Sequence, residues 1–328
     1  MFMPKPQQPD PTPSATQTPE PGDGSPEGDN SMEALAIVSG GQTDEIRLTD
    51  LGNAGRLVRR HGHDLRFDHL RACWYVWTGQ RWERDVTGEV ERRAKDTVRA
   101  IYAEASEAEE RDRAALAKHA IRSESKAAIS NMISLAASEP GIPVIAADMN
   151  RDAWLLNCLN GTIDLRTGEL HEHRREDMIS KLAPVNYDPD ATHPLWNDLL
   201  TRVTGGDTEL LEYLQTAAGY SLTGTTREDK AFVLVSEGGG GKTSFLEPMA
   251  RALGDYAAVA EESTFVARHT GAAGHSEDVA ALDGARMVVA TELGQGKLAE
   301  ERFKRMTGGD TMRASRKHEQ SFEFRPVF

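Results

Sequence analysis

The spacing of apolar residues changes character several times along this 328-residue chain. Over residues 1–31 almost nothing is apolar: after Met1, Phe2 and Met3 the next large apolar residue is Met32, and the stretch between is Pro, Thr, Ser, Gln, Gly and acid. Such a segment cannot bury enough surface to offset chain entropy, so a disordered tail is expected there. From Leu48 the pattern becomes globular. Trp74-Tyr75-Val76-Trp77 followed by Thr78-Gly79-Gln80-Arg81-Trp82 predicts two short strands around a turn. Their aromatics suit either the core of a small sheet or a surface on which single-stranded bases stack. Between Val86 and Glu139, Val90, Ala94, Val98, Ile101 and Ala105 recur at helical spacing in an Ala/Glu/Arg/Lys background. That predicts two or three packed helices, with Ser123 or Ser125 as an internal N-cap and Pro140-Gly141 as the stop. Trp154-Leu155-Leu156 and Ile163-Asp164-Leu165 flank Asn160-Gly161, a hairpin signal, and Arg166-Thr167-Gly168-Glu169 makes a second turn. An α+β module is therefore expected over residues 32–194, closing in a Pro-containing linker, Asp188 to Pro194.

A different pattern governs residues 195–328. Ala231 to Val235 is an apolar run that predicts a buried parallel strand; glycines follow at Gly238, Gly239, Gly240 and Gly241, and a helical pattern begins at Lys242-Thr243-Ser244. Strand, glycine loop and helix start together make a phosphate-binding loop. Glycine lets the backbone approach an anion and adopt positive φ, and the helix start contributes unpaired N–H groups and a partial positive charge. Lys242 would reach the β- and γ-phosphates of ATP, and the Thr243 hydroxyl would hold Mg²⁺. Ser236 stands where the strict motif has its first glycine, and Pro248 is expected to kink the helix. The alternative is a flexible glycine-rich surface loop.

Hydrolysis would need a carboxylate at the end of a neighbouring buried strand, and Arg286-Met287-Val288-Val289-Ala290-Thr291-Glu292 supplies one. Glu292 is the candidate for assisting Mg²⁺ and polarising water, unless it marks only where the strand meets solvent. Phe303 to His318 runs from a helix through a turn into a basic hairpin. Arg313, Arg316, Lys317 and His318 could follow a phosphate backbone there, or be a solvated charged edge. Charge makes the first option more telling: 38 Lys and Arg against 52 Asp and Glu give −14 overall, which excludes a generally basic nucleic-acid binder and makes a positive hairpin a local exception. Cys73 and Cys158 have no metal-ligand spacing and predict neither a zinc site nor a disulfide framework. No apolar run has membrane-spanning length, and a soluble cytoplasmic protein is expected. The pentapeptide Thr-Gly-Gly-Asp-Thr occurs at 204–208 and 307–311 with different flanks, a coincidence of loop chemistry.

These residues resemble the superfamily 3 DNA helicases of phage and plasmid primase-helicases. LTDLGNAGRLVRRHG (48–62), WYVWTGQRW (74–82), LNCLNGTIDLRTGEL (156–170) and YDPDA (187–191) look like that family's helicase-associated N-terminal region. GGGGKTSFL (238–246), RMVVATEL (286–293) and MTGGDTMRASRKHEQSFEFRPVF (306–328) are similar in order and spacing to its Walker A, Walker B and hairpin motifs. Ser236, Gly240 and Ser315 depart from the family's usual glycine, asparagine and arginine.

The resemblance implies an α+β module followed by a partial α/β P-loop NTPase domain, AAA+-like, over residues 195–328. It also implies an ATP- and Mg²⁺-dependent helicase that works on single-stranded or forked DNA as a homo-hexamer in the complete protein, with a primase or replication initiator as further partner. Lys242, Thr243 and Glu292 take the ATPase roles, and Arg316 and Lys317 lie on a channel loop. The family's sensor asparagine and arginine finger fall after Phe328, so this chain alone is expected to turn over little ATP and to form no stable ring. The competing expectation is a DNA-binding or helicase-assembly module without turnover; a small-molecule P-loop kinase, which needs no basic hairpin, is a third.

Overall fold

The computed structural model describes residues 47–265, 276–290, 298–315 and 321–328. The tail expected over residues 1–31 lies outside them. The described chain is a mixed α/β structure in which antiparallel sheets and helices come first and a parallel strand pair comes later.

Helix α1 (Asp50–His61) starts at Thr49, whose hydroxyl accepts from the Gly52 N–H at 3.1 Å. It leads into the meander β1 (Leu65–Asp68), β2 (Cys73–Trp77) and β3 (Trp82–Arg84), with Phe67 opposite Trp74 and Trp77 opposite Trp82. The two strands expected around the turn at Thr78 are present, and β1 adds a third. Of the two roles open to the aromatics, the core is the one they fill: Trp82 is fully buried, and Tyr75 and Trp77 are buried beside Cys73 and Val144.

Three helices follow: α2 (Glu89–Glu107), α3 (Glu110–Ser123) and α4 (Lys126–Ala136). The 3.6-residue spacing puts Val90, Ala94 and Val98 of α2 against Ala54 and Leu57 of α1 and Met132 and Ala136 of α4, and Ile101 and Ala105 against Leu116 and Ala120 of α3. Ser125, rather than Ser123, is the internal N-cap, accepting from the Ala128 N–H at 3.2 Å. Ser123 has another task. Its hydroxyl accepts from Asn53 Nδ2 at 2.9 Å inside a buried cluster in which His119 Nε2–H donates to Asn53 Oδ1 at 2.8 Å. His119 Nδ1 accepts from the Arg122 guanidinium at 3.2 Å, so the partners fix a neutral imidazole. Burial, with Arg56 and Arg122 nearby, holds the His119 pKa below its ordinary value.

The next meander is β4 (Leu155–Cys158), β5 (Gly161–Asp164) and β6 (Glu169–His171), with Cys158 paired to Gly161. The hairpin loop is Leu159-Asn160, one residue earlier than the Asn-Gly signal, because Gly161 at φ +150° already belongs to β5. A Cβ at Gly161 would also run into the His171 carbonyl and crowd Leu170. Beyond residues 188–193 come α5 (Pro194–Thr204) and α6 (Thr208–Tyr220), then α7 (Lys242–Leu253). Next are β7 (Ala257–Ala260), the short α8 (Glu262–Phe265) and α9 (Ser276–Ala280), and β8 (Met287–Ala290), parallel to β7. Helix α10 (Glu300–Thr307) and the antiparallel pair β9 (Met312–Ala314) and β10 (Phe322–Phe324) complete the described chain. Both Thr-Gly-Gly-Asp-Thr segments end a helix, α5 and α10, with Gly205 and Gly309 at positive φ, in keeping with shared loop chemistry.

The strand expected at Ala231–Val235 is a correction. No ladder forms there, and Val233 and Val235 are 77% and 86% exposed. A parallel strand needs a partner about 4.8 Å away. Residues 231–234 instead share with β8 the walls of a cavity of about 710 Å³, so the apolar run borders a void where it would have to border a strand.

The two halves are joined through buried structure. Leu156, Cys158 and Ile163 of the second meander pack with Leu253, Tyr256, Met287 and Val289. Arg286, 5% exposed at the head of β8, donates to Leu155 O at 2.7 Å, Leu222 O at 2.9 Å and, more distantly, Asp152 O at 3.4 Å, with its guanidinium 4.7 Å from the Tyr256 ring centre. Burial pulls the Arg286 pKa down and pushes the Tyr256 hydroxyl up to about 12. Arg71 pairs with Asp283 at 3.0 Å, and Arg81 pairs with Asp255.

Candidate functional site

The site is built by the segment that enters α7. Gly239 and Gly241 hold φ of +83° and +79°, values that L side chains rarely adopt. At Gly241 a second constraint operates, since a Cβ would run into Val203 of α5. Helix α5 is itself pinned to α7 by Trp196 and Phe245, whose rings stack at 5.8 Å and 11°. Gly241 is the N-cap residue of α7, and its carbonyl accepts the Phe245 N–H at 3.0 Å. The N–H groups of Lys242, Thr243 and Ser244 in the first turn are left without intrahelical acceptors by helix geometry, and Thr243 and Ser244 are exposed. Helix α7 runs unbroken through Pro248.

Lys242 folds back over the loop. Its ammonium donates to Ser236 O at 3.0 Å and to Ser236 Oγ at 2.6 Å, while the Ser236 hydroxyl donates to Glu237 O at 3.0 Å. Ser236, conspicuous in the sequence only as a departure from glycine, is thus the residue that positions Lys242. The loop opens onto the 710 Å³ cavity, which Lys242 and Thr243 line together with α6, β8 and α10. Phosphate fits this donor set: an ammonium and first-turn N–H groups of a helix. For Mg²⁺, Thr243 offers a hydroxyl in the right turn. Glu292, its expected partner, lies outside the described residues, and among the described residues no group of three or more His, Cys, Asp or Glu is placed to hold a metal ion.

The strand that leads to Glu292 is present as expected: β8 covers Met287–Ala290, with Met287 and Val289 buried. What sequence reading missed is the anchor of that strand, Arg286. A cation at the head of an apolar run, directly after Gly284-Ala285, was the available signal.

Of the basic hairpin, the antiparallel strand pair lies within the described residues. Helix α10 turns into β9 and β10, Met312, Ala314, Phe322 and Phe324 face the core, and Arg313 faces out with its guanidinium donating to Ser321 Oγ at 2.8 Å. Arg316, Lys317 and His318 lie outside the described residues. Beside the hairpin a second cleft, of about 910 Å³, runs from Glu323 and Arg325 to Arg71, Arg81 and Lys181. Those three cations are engaged with the other half of the chain: Lys181 donates to Asp255 O and Asp283 O, each at 3.1 Å, beside the Arg71 and Arg81 ion pairs. The cleft is a charged seam between the two halves.

Cys73 and Cys158 are buried free thiols, and burial pushes the Cys158 pKa up to about 11, so neither is poised as a thiolate. Among the described residues no helix is long and apolar enough to cross a membrane.

Comparison with known proteins follows the same division of the chain. Residues 54–205 match the family described as D5 N terminal like, and residues 234–328 match a family of unknown function, DUF5906. Over 194 residues the chain is 25% identical to a protein of Acanthamoeba polyphaga mimivirus that is provisionally named a helicase. The match covers 57% of this chain and 20% of the relative, so the chain spans about a fifth of that protein's length. The D5 N terminal like region, together with the weaker likeness to the mimivirus protein, supports placing this chain with the phage and viral primase-helicases.

Proposed function

We propose that residues 195–328 form part of a P-loop ATPase and that the chain is the helicase portion of a phage or mobile-element replication protein. In this reading it couples ATP hydrolysis to movement along single-stranded or forked DNA as a ring of identical subunits. The observation that carries the nucleotide reading is the loop itself: Gly239 and Gly241 at positive φ open α7, and Lys242 arches back across the loop to Ser236. When ATP and Mg²⁺ are bound they supply the phosphoryl group to be transferred and the charge that stabilises its departure. Lys242 and the first-turn N–H groups hold the phosphates, Thr243 presents its hydroxyl to the metal, and Glu292, one residue beyond Thr291 after β8, orients and polarises the attacking water. Arg313, Arg316, Lys317 and His318 contact the DNA backbone from the hairpin.

The test is equilibrium binding of a fluorescent ATP analogue with Mg²⁺, and DNA-stimulated phosphate release, for the wild-type chain, Lys242→Ala and Glu292→Gln. Lys242→Ala should abolish analogue binding with an unchanged circular dichroism spectrum. Glu292→Gln should bind and fail to turn over. Unchanged binding in Lys242→Ala refutes the nucleotide site. Binding of DNA by the wild type with no nucleotide binding would favour the assembly-module alternative.

A further inference from the structure

A lysine ammonium has three N–H donors. In this loop two of them are committed to one residue: Lys242 Nζ donates to the Ser236 carbonyl at 3.0 Å and to the Ser236 hydroxyl at 2.6 Å. The hydroxyl is oriented for this duty, because its own proton is donated to Glu237 O at 3.0 Å, which turns its lone pairs toward the lysine. One donor remains. The terminal phosphate of a nucleoside diphosphate can be met by that donor alone. A triphosphate presents both β- and γ-oxygens to the ammonium and needs two, so one existing bond must be given up. The carbonyl bond spans the loop from residue 236 to 242 and belongs to the backbone; the hydroxyl bond is the one that can be released by rotation about a single side-chain torsion.

We propose that the Ser236 hydroxyl is a clasp on Lys242 that the γ-phosphate must open, and that it lowers the site's affinity for nucleoside triphosphate relative to diphosphate. The inference rests on the nucleotide-binding reading of this loop and adds a specificity-determining residue to it. The neighbouring glycine fits the same arrangement. A Cβ at Gly240 would overlap the Ser236 hydroxyl and crowd its Cβ, so Ser236 in its clasping position requires residue 240 to have no side chain. Ser236 and Gly240 are therefore one structural unit: the side chain at 236 occupies the space that a side chain at 240 would need.

The experiment measures binding of fluorescent ATP and ADP analogues, each with Mg²⁺, to the full 328-residue chain as wild type and as Ser236→Ala. Removing the hydroxyl should tighten the triphosphate analogue about 3- to 10-fold, the range for one ordinary hydrogen bond, since solvent screens the lysine charge at this exposed position. The diphosphate analogue should change less than about 2-fold by the same donor count. A second pair of variants tests the shared space: Gly240→Asn alone should weaken both analogues, and Ser236→Gly with Gly240→Asn should restore them. If both analogues bind in a Lys242-dependent way and Ser236→Ala shifts them equally, not at all, or weakens the triphosphate, the clasp is overturned while the nucleotide site stands. If neither analogue binds the wild type, both the clasp and the reading beneath it fall.

Discussion

Replacing Arg286 should be among the most damaging single changes in the described chain, and its size follows from what the guanidinium touches. The side chain is 5% exposed, has no carboxylate partner among its hydrogen bonds, and is instead held by the carbonyls of Leu155 and Leu222 at 2.7 and 2.9 Å. Each bond from a charged donor contributes about 1.5–3 kcal/mol. The desolvated contact with the Tyr256 ring at 4.7 Å adds about 1–2 kcal/mol. Against this stands the cost of burying an arginine charge, several kcal/mol, which the variant recovers. Arg286→Ala should therefore destabilise by a net ~2–4 kcal/mol, because it also leaves the two carbonyls unpaired and opens space beside the 710 Å³ cavity. Arg286→Met keeps much of the volume and should cost about 1 kcal/mol less than Ala. Arg286→Lys cannot span both carbonyls with one ammonium and should fall with the destabilised variants. Urea unfolding followed by tryptophan fluorescence reads these as shifts in midpoint at constant slope. Ala and Met variants within about 0.5 kcal/mol of wild type, inside the range of ordinary surface changes, would show that the buried arginine does not anchor β8.

Three further outcomes are expected. The His119 pKa is held below its ordinary value of 6.5 by burial and by Arg56 and Arg122, and that of His61 by burial and by Arg93 and Arg60, with Asp50, Glu104 and Asp96 opposing. The unfolded chain therefore binds these protons first, so stability is full above about pH 6.5 and falls as pH drops through the folded-state values; His119→Gln should flatten this part of a stability-versus-pH curve. Asp85 accepts the N–H groups of Thr87, Glu89 and Val90 at 3.1, 2.9 and 2.9 Å and so caps α2 in place of a side chain at Gly88. Desolvation works against its charge and the backbone donors outweigh it, setting the carboxyl below 3.8, so Asp85→Ala should cost about 1–2 kcal/mol at neutral pH, with the difference from wild type vanishing as acid titrates the folded group. Replacing Arg316 and Lys317 by Ala should weaken single-stranded DNA binding and lower its salt slope by about one to two, one per lost phosphate contact; loss of binding only when Trp74 is changed, with the fold intact, would move the contact to the first sheet.

Local signals in this sequence were strong wherever the chain's own neighbours decide the structure. Residues such as Val90, Ala94 and Val98 share a helix face whatever else the chain does, Ser125 caps because its hydroxyl reaches three residues on, and glycine is demanded at 239 and 241 by φ alone. The glycine loop and the helix it opens are legible for the same reason: their geometry is contained within a dozen consecutive residues. Distance in sequence hid the rest. Ala231–Val235 has a strand's composition, yet strand formation depends on a partner alongside, and here a cavity occupies that side. Gly241 looks like any loop glycine until Val203 is brought against it, 38 residues earlier in the chain. Arg286 reads as the charged start of a strand until folding buries it among carbonyls contributed by residues 155 and 222. Ser236 reads as a flaw in a glycine motif until the loop turns back and sets its hydroxyl against Lys242. Sequence determined which backbone conformations were available; only tertiary packing decided which polar groups would lose water, and hence which residues had to answer for them.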